Sequence, residues 1–289
     1  MSASFPNLRE IKIPGPSGDR AFRPPLVMGI LNVTPDSFSD GGKHVSTDAA
    51  ASAGEAMLED GADIIDIGGE STRPGAAPVT VKQEIARTAP VIAALHERLP
   101  HTPISIDTMK AKVARAALDA GASIVNDVSA ASHDAAILPL CAERDCVLIL
   151  MHMRGTPRDM QAQTDYDDVV NEVRDYLAGR IDAAVQAGVR RERIWIDPGF
   201  GFAKLPQHNC ELVNALDQLS GLGCPILLGA SRKSTLGHLT GRPVSDREPE
   251  SLAAGLIGAL KGASVLRVHE PGPMRRALTV AQAMTRGEG

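Results

Sequence analysis

Eight short runs rich in β-branched residues recur along the 289-residue chain. They are spaced at intervals of about 36 residues, and each is followed by a longer segment of helical period. The runs are Leu26 to Leu31, Asp63 to Ile67, Pro103 to Ile106, Ser123 to Asn126, Cys146 to Met151, Ile194 to Asp197, Pro225 to Leu228 and Val265 to Val268. Eight strand-and-helix units are the number that closes a parallel sheet on itself, so the spacing predicts an α/β chain folded as a (β/α)8 TIM barrel. A doubly wound open sheet is the alternative, and it would need helices on both faces and usually fewer units. Gly61-Ala62, Gly121-Ala122, Gly188-Val189 and Gly262-Ala263 each end a helical segment just ahead of a strand, as repeated joints. Before the first run, Ile11-Lys12-Ile13 and Pro14-Gly15-Pro16 read as a hairpin-like extension that plugs the barrel bottom. The expected division is an N-terminal extension, 1–24, and one barrel, 25–289.

Composition narrows the function. With 30 basic against 35 acidic residues and a net charge of -5, no broad electrostatic footprint for nucleic acid is expected, although a local anion site is compatible. Aromatic residues make up 3%, too few for base-stacking platforms. No apolar run is long enough to span a bilayer, and Met1 to Glu10 lacks the basic and apolar regions of a signal peptide, so the expected location is the cytoplasm. Cys141, Cys146, Cys210 and Cys224 form no CxxC pair and read as inert thiols.

In a barrel of this kind the chemistry sits at the C-terminal ends of the strands. Here successive runs finish in Asn32, Asp66, Asp107, Asn126-Asp127, His152, Asp197, Ser231-Arg232-Lys233 and Arg267-Val268-His269. One Asp after a strand is commonly a helix cap; polar residues after every strand are not explained that way. Asp107, Asn126 and Asp197 suit a flat heterocycle with a guanidine-like edge, a pterin or a purine-like ring, since carboxylates accept paired N–H donors. Lys233, Arg267 and His269 come from the last two strands, where barrels often hold anions, and suit a phosphate or a ring carbonyl. Asn32 suits a hard cation such as Mg2+ together with a diphosphate. Two loops mix Gly and Pro with polar residues, Asn32 to Gly42 and Gly68 to Gly75, as mobile lids do, and Phe38 in the first is placed to cover a substrate.

Other chemistries lack their parts. The first strand ends in Asn32 rather than the His-x-His that barrel zinc hydrolases usually need. There is no GxxxxGK[ST], and no GxSxG or GxGxxG at a strand–helix junction.

The chain resembles the dihydropteroate synthase family of folate biosynthesis. The resemblance runs from about Pro25 to the last helix and is carried in order by MGILNVTPDSFSDGG (Met28 to Gly42), DIGGESTRPGA (Asp66 to Ala76), SIDT (Ser105 to Thr108), NDVS (Asn126 to Ser129), LMHM (Leu150 to Met153), DPGFGF (Asp197 to Phe202), SRKS (Ser231 to Ser234) and RVH (Arg267 to His269). It implies a barrel that joins a dihydropterin methyl diphosphate to para-aminobenzoate, with magnesium, and that is a sulfonamide target. It further implies that Asp107, Asn126, Asp197 and Lys233 hold the pterin, with Met151 packed on its ring. Asn32, Arg267 and His269 would hold the diphosphate and its magnesium. Thr72, Arg73, Pro74, Phe202 and Ser231 would line the para-aminobenzoate site, with Phe38 closing over it. The catalytic set is then Asp107, Asp197, Lys233 and Arg267. Ala203 stands where the family commonly has Gly, and Glu270 where Asp is common.

No base is obviously placed beside an arylamine, which needs little activation, so departure of diphosphate is the step worth catalysing and dissociative substitution is expected. Two alternatives remain, a pterin-binding methyltransferase domain and a non-catalytic pterin-binding homologue. A homodimer is expected, and the apolar segment Leu252 to Leu260 could pair outer helices, though an inner core face explains it equally well.

Overall fold

The computed structural model describes residues 5, 6, 8–34, 47–71 and 77–286. It begins with an antiparallel hairpin of β1 (Ile11–Ile13) and β2 (Arg20–Phe22). All eight expected runs then become strands: β3 (Leu26–Asn32), β4 (Ile64–Gly68), β5 (Ile104–Asp107), β6 (Ile124–Asp127), β7 (Val147–Met151), β8 (Ile194–Asp197), β9 (Leu227–Leu228) and β10 (Val265–Val268). They pair in parallel in the order β8-β7-β6-β5-β4-β3-β10-β9. A parallel bridge between Ile196 and Ile226, with the Ile196 N–H donating to the Pro225 carbonyl at 2.9 Å, closes the ring between β8 and β9. Closure removes both sheet edges, which an open sheet would leave unpaired. β9 is shorter than the apolar run that announces it because Pro225 has no N–H to give the ladder.

The helices are α1 (Thr47–Glu59), α2 (Val81–Arg98), α3 (Ala111–Asp119), α4 (Ile137–Arg144), α5 (Val169–Gln186), α6 (Pro206–Asn214), α7 (Leu216–Leu219), α8 (Ser234–Thr240), α9 (Glu248–Leu260) and α10 (Pro271–Arg286). No helix of the described residues is long and apolar enough to cross a membrane. The expected joints recur with one geometry. Gly61, Gly121, Gly188 and Gly262 have φ of +107°, +112°, +97° and +111°. The next N–H in each case bonds back five residues, as from Ala62 to the Met57 carbonyl and from Ala122 to the Ala117 carbonyl. This is the Schellman end, which satisfies the last helix carbonyls and turns the chain into the next strand.

Strand alternation then sorts the side chains. Val27, Leu31, Ile65, Ile67, Ile104, Ile106, Leu148 and Leu150 face outward into one continuous core with the helices. Leu26, Met28, Ile64, Ile124, Val147, Ile149, Trp195, Leu227 and Val265 face inward and fill the lower barrel. Ile11 and Ile13 of the hairpin complete that inner cluster, with Phe22 packed against it, so the hairpin stoppers the bottom as expected. Cys141, Cys146 and Cys224 are buried free thiols and Cys210 is exposed.

Candidate active site

The same alternation brings the last inward residue of each strand to one rim. Register pairs Asn32 with Gly68, Gly68 with Asp107, Asp107 with Asn126 and Met151 with Asp197, so residues far apart in sequence stand side by side at the top. Arg267 reaches into this ring from β10. Its Nε donates to Asp66 Oδ2 at 2.6 Å and its Nη2 to Asp107 Oδ2 at 2.8 Å. Asn126 Nδ2 donates to the same Asp66 oxygen at 3.1 Å. Asp66 is completely buried one layer below the rim, and it is the hub of this network.

Burial sets the electrostatics. Asp107 is pushed up to about 7 by burial, against the pull of Arg267. Asp197 is pushed up to about 6 by burial, opposed by the Gly199 N–H, which donates to its Oδ1 at 2.7 Å, and by the charge of Lys233. Burial also works against the Arg267 cation, but Asp66 and Asp107 outweigh it and hold the guanidinium charged. The site therefore holds two carboxylates poised near neutrality and a cation that stays charged.

The far side of the rim is polar in a different way. Ser231 Oγ lies 2.9 Å from His269 Nδ1 and accepts from the His269 N–H at 3.3 Å, linking the ends of β9 and β10. The Lys233 ammonium sits over the Phe202 ring, 3.9 Å from its centre, as a cation–π pair. Phe202 follows β8 in a turn of left-handed residues, with Gly199, Gly201 and Ala203 at φ of +72°, +81° and +49°. Glycine is required at the first of these, since a Cβ there would lie 1.9 Å from the His152 carbonyl oxygen.

The model of the pterin-binding enzymes matches residues 28–269. The dihydropteroate synthase of Synechocystis is 46% identical over 261 residues, covering 90% of each chain. The solved dihydropteroate synthase of Xanthomonas albilineans with 4-aminobenzoic acid superposes with a TM-score of 0.89 at 45% identity, covering 96% of this chain and 98% of that one. That of Yersinia pestis in complex with a sulfonamide drug gives a TM-score of 0.89 at 39% identity, covering 96% and 100%. The chain belongs to the dihydropteroate synthase family.

For a dihydropteroate synthase, the described residues bring most of the expected site together. Asn32, Asp107, Asn126, Met151, Asp197 and Arg267 share the rim, and Phe202, Ser231, Lys233 and His269 gather beside it. Phe38, Thr72, Arg73 and Pro74 lie outside the described residues. Two pairs that the sequence assigns to different substrates are in contact here, Ser231 with His269 and Phe202 with Lys233. His152 and Asp127, both at strand ends, are fasteners instead. Asp127 accepts from the Ser129 and Ala131 N–H groups at 2.8 and 2.7 Å. His152 is buried, held neutral by desolvation, which pushes it down to about 2.

Sequence reasoning leaves three groups without a role. Asp66 could have been found by parity, as an acid on the inward face of the otherwise apolar IIDIG. Lys110 donates to Glu70 Oε2 and Glu84 Oε2 at 2.6 Å and to the Val79 carbonyl at 2.7 Å, gripping the chain on both sides of residues 72–76. Lys204, 4% exposed, lies among carbonyls behind Phe202 and is pulled down to about 7 by burial, against the field of Asp197. Neither lysine has a sequence signal, because nothing in a string distinguishes an inward lysine from a solvated one.

Proposed function

We propose that this chain acts as a dihydropteroate synthase, joining a dihydropterin methyl diphosphate to para-aminobenzoate with release of diphosphate. The observation that carries the reading is the rim of Asp107, Asn126 and Asp197 at the mouth of a closed barrel, the last two buried, with Arg267 bonded to Asp107 and Asn126 to the same Asp66 that Arg267 meets. Asp107, Asn126 and Asp197 hold the guanidine-like edge of the pterin, because ionised carboxylates accept its paired N–H groups. Met151 packs on the ring and Lys233 meets its carbonyl. Arg267 and His269 face the diphosphate.

The bond from the pterin methylene carbon to the diphosphate oxygen breaks first, and its electron pair leaves with the diphosphate. Asp107 and Asp197 favour the cation left on the pterin, and Arg267 favours the departing anion. The arylamine lone pair then forms the C–N bond and the amine loses a proton to solvent or to diphosphate. Phe202 and Ser231 line the arylamine side, with Phe38, Thr72, Arg73 and Pro74 completing it and keeping water from the cation.

Magnesium fits this rim. A Cβ on Gly68 would lie 3.5 Å from Asn32 Oδ1 and 3.7 Å from Asp107 Cβ, so glycine keeps space open between the two. Among the described residues no three His, Cys, Asp or Glu side chains gather as a metal cage. Asn32 would supply one oxygen, with diphosphate and water supplying the others, the usual manner of magnesium. An ion held there would supply positive charge to the leaving diphosphate.

The enzyme works in the cytoplasm, and copies pair through α9 and α10, whose exposed Ile257, Val280 and Met284 support an outer apolar contact. Sulfonamides compete with para-aminobenzoate. The test is diphosphate release by the purified chain: release that requires para-aminobenzoate and magnesium supports the reading. Pterin binding without release identifies a non-catalytic homologue, and methyl transfer identifies the other alternative.

A further inference from the structure

Lys204 is a buried lysine with no carboxylate in contact among the described residues. Its Nζ lies 2.9 Å from His152 Nδ1, 3.0 Å from the Phe202 carbonyl oxygen, 3.1 Å from that of Gly199 and 3.4 Å from that of His152. The three carbonyls accept, and His152 Nδ1 accepts when the neutral ring carries its proton on Nε2, so all three N–H donors of the ammonium find partners, which favours the charged form against the burial that pulls Lys204 down to about 7. The cage spans the ends of two strands, since His152 follows β7 and Gly199 and Phe202 follow β8. The turn it holds has one internal backbone bond, from the Phe202 N–H to the Gly199 carbonyl at 3.0 Å, and it runs into Ala203, whose left-handed backbone is costly for a residue with a Cβ. Asn209 fastens the turn from behind, through the Gly201 N–H at 2.8 Å. Lys204 fastens the front, at the residue whose ring meets Lys233.

We propose that Lys204 is a positioning residue for the arylamine side of the site: its ammonium locks the Gly199–Phe202 turn to the end of β7 and so fixes the Phe202 ring against Lys233. The inference rests on the synthase reading for the identity of the arylamine, and on the hydrogen bonds alone for the lock. Lys204 touches no reacting atom, and its effect passes through Phe202.

A double-mutant cycle with Phe202 tests this. Lys204→Met keeps the bulk of the stem and removes the donors. It should raise KM for para-aminobenzoate about tenfold while KM for the pterin diphosphate and kcat stay within about threefold. In a Phe202→Ala background the same change should add nothing, since the ring it positions is gone. Equal effects on both backgrounds, or an unchanged KM for para-aminobenzoate, overturn the proposal. Should Lys204→Met not fold, Lys204→Gln, which keeps two N–H donors, takes its place in the cycle. Failure of both to fold overturns it in favour of a purely structural lysine.

A second readout does not depend on activity. The chain has five Phe residues, so protein labelled with 4-fluorophenylalanine gives few fluorine resonances, and the Phe202 one is assigned by its loss in Phe202→Ala. That resonance should shift and broaden in Lys204→Met. A wild-type chain that makes no dihydropteroate would sink the functional reading, whereas an unmoved Phe202 resonance sinks the lock.

Discussion

The two ends of the barrel interior are made by the same strands and the same alternation, yet they serve opposite ends. At the bottom the inward positions carry Met28, Ile64, Ile124, Ile149 and Trp195, sealed by Ile11 and Ile13. At the top, the inward positions carry Asn32, Asp66, Asp107, Asn126, Asp197 and Arg267. Apolar burial at the bottom stabilises the fold without direction, and the polar ring above it costs desolvation that only partners or a ligand return. A barrel can hold both because the strands that carry the charges are fixed from below and from outside, where the helices pack.

The largest effect expected is at the top. Asp197→Asn or Asp107→Asn should lower kcat/KM about 10²–10³-fold, the usual cost of one electrostatic contact to a transition state. The melting temperature should hold or rise, since burial disfavours both charges. Steady-state kinetics with calorimetric melting checks both halves, and a variant that retains activity but loses its fold would make these carboxylates structural.

Next comes the bottom. Ile13→Ala removes the hairpin side chain that is 1% exposed, and it should cost about 2–5 kcal/mol of stability. Urea titration measures that loss, and kcat/KM per folded molecule should change by less than about twofold. A larger loss of activity would show that the two ends are coupled.

The third test sharpens the electrostatics of the upper end. In the free protein burial pushes Asp197 up to about 6 and Asp107 up to about 7. Protonation removes the acceptors that the pterin edge needs, so kcat/KM for the pterin diphosphate should climb between about pH 5 and 8, by about a hundredfold or more, as the two carboxylates ionise. Asp197→Asn should remove the lower part of that rise. A profile falling over this range would mean that the protonated acids are the working forms.

The smallest effect is at the turn. Ala203 has φ of +49°, a conformation that costs a residue with a Cβ about 1–2 kcal/mol, so Ala203→Gly should gain stability of up to about 1 kcal/mol in a urea titration. No gain would mean that packing around the buried methyl group offsets the strain.

Much of this was legible in the sequence, and the reasons differ by element. The eight strands are visible because β-branched runs alternate with helical segments, and because the four Gly joints repeat one helix end. Each of β4, β5, β6 and β7 starts one residue later than its run, because Asp63, Pro103, Ser123 and Cys146 still belong to the joint. The rim residues were legible as polar residues at strand ends, but proximity to a strand end could not separate Asn126, which faces in, from Asp127, which holds a turn. Parity separates them. Contacts between residues of β4 and β10, such as Asp66 with Arg267, depend on the last strand pairing with β3 and lie beyond any local pattern. Phe38, Thr72, Arg73 and Pro74 fall outside the described residues.

The division of labour between the two ends is tested most directly by calorimetric titration of the pterin diphosphate into three proteins, the wild type, Asp197→Asn and Ile13→Ala, each under conditions where it is folded. The account predicts that Ile13→Ala binds with wild-type affinity, within about twofold, and that Asp197→Asn binds at least about a hundredfold more weakly. Equal affinity in the wild type and Asp197→Asn, or a binding loss in folded Ile13→Ala, would contradict it.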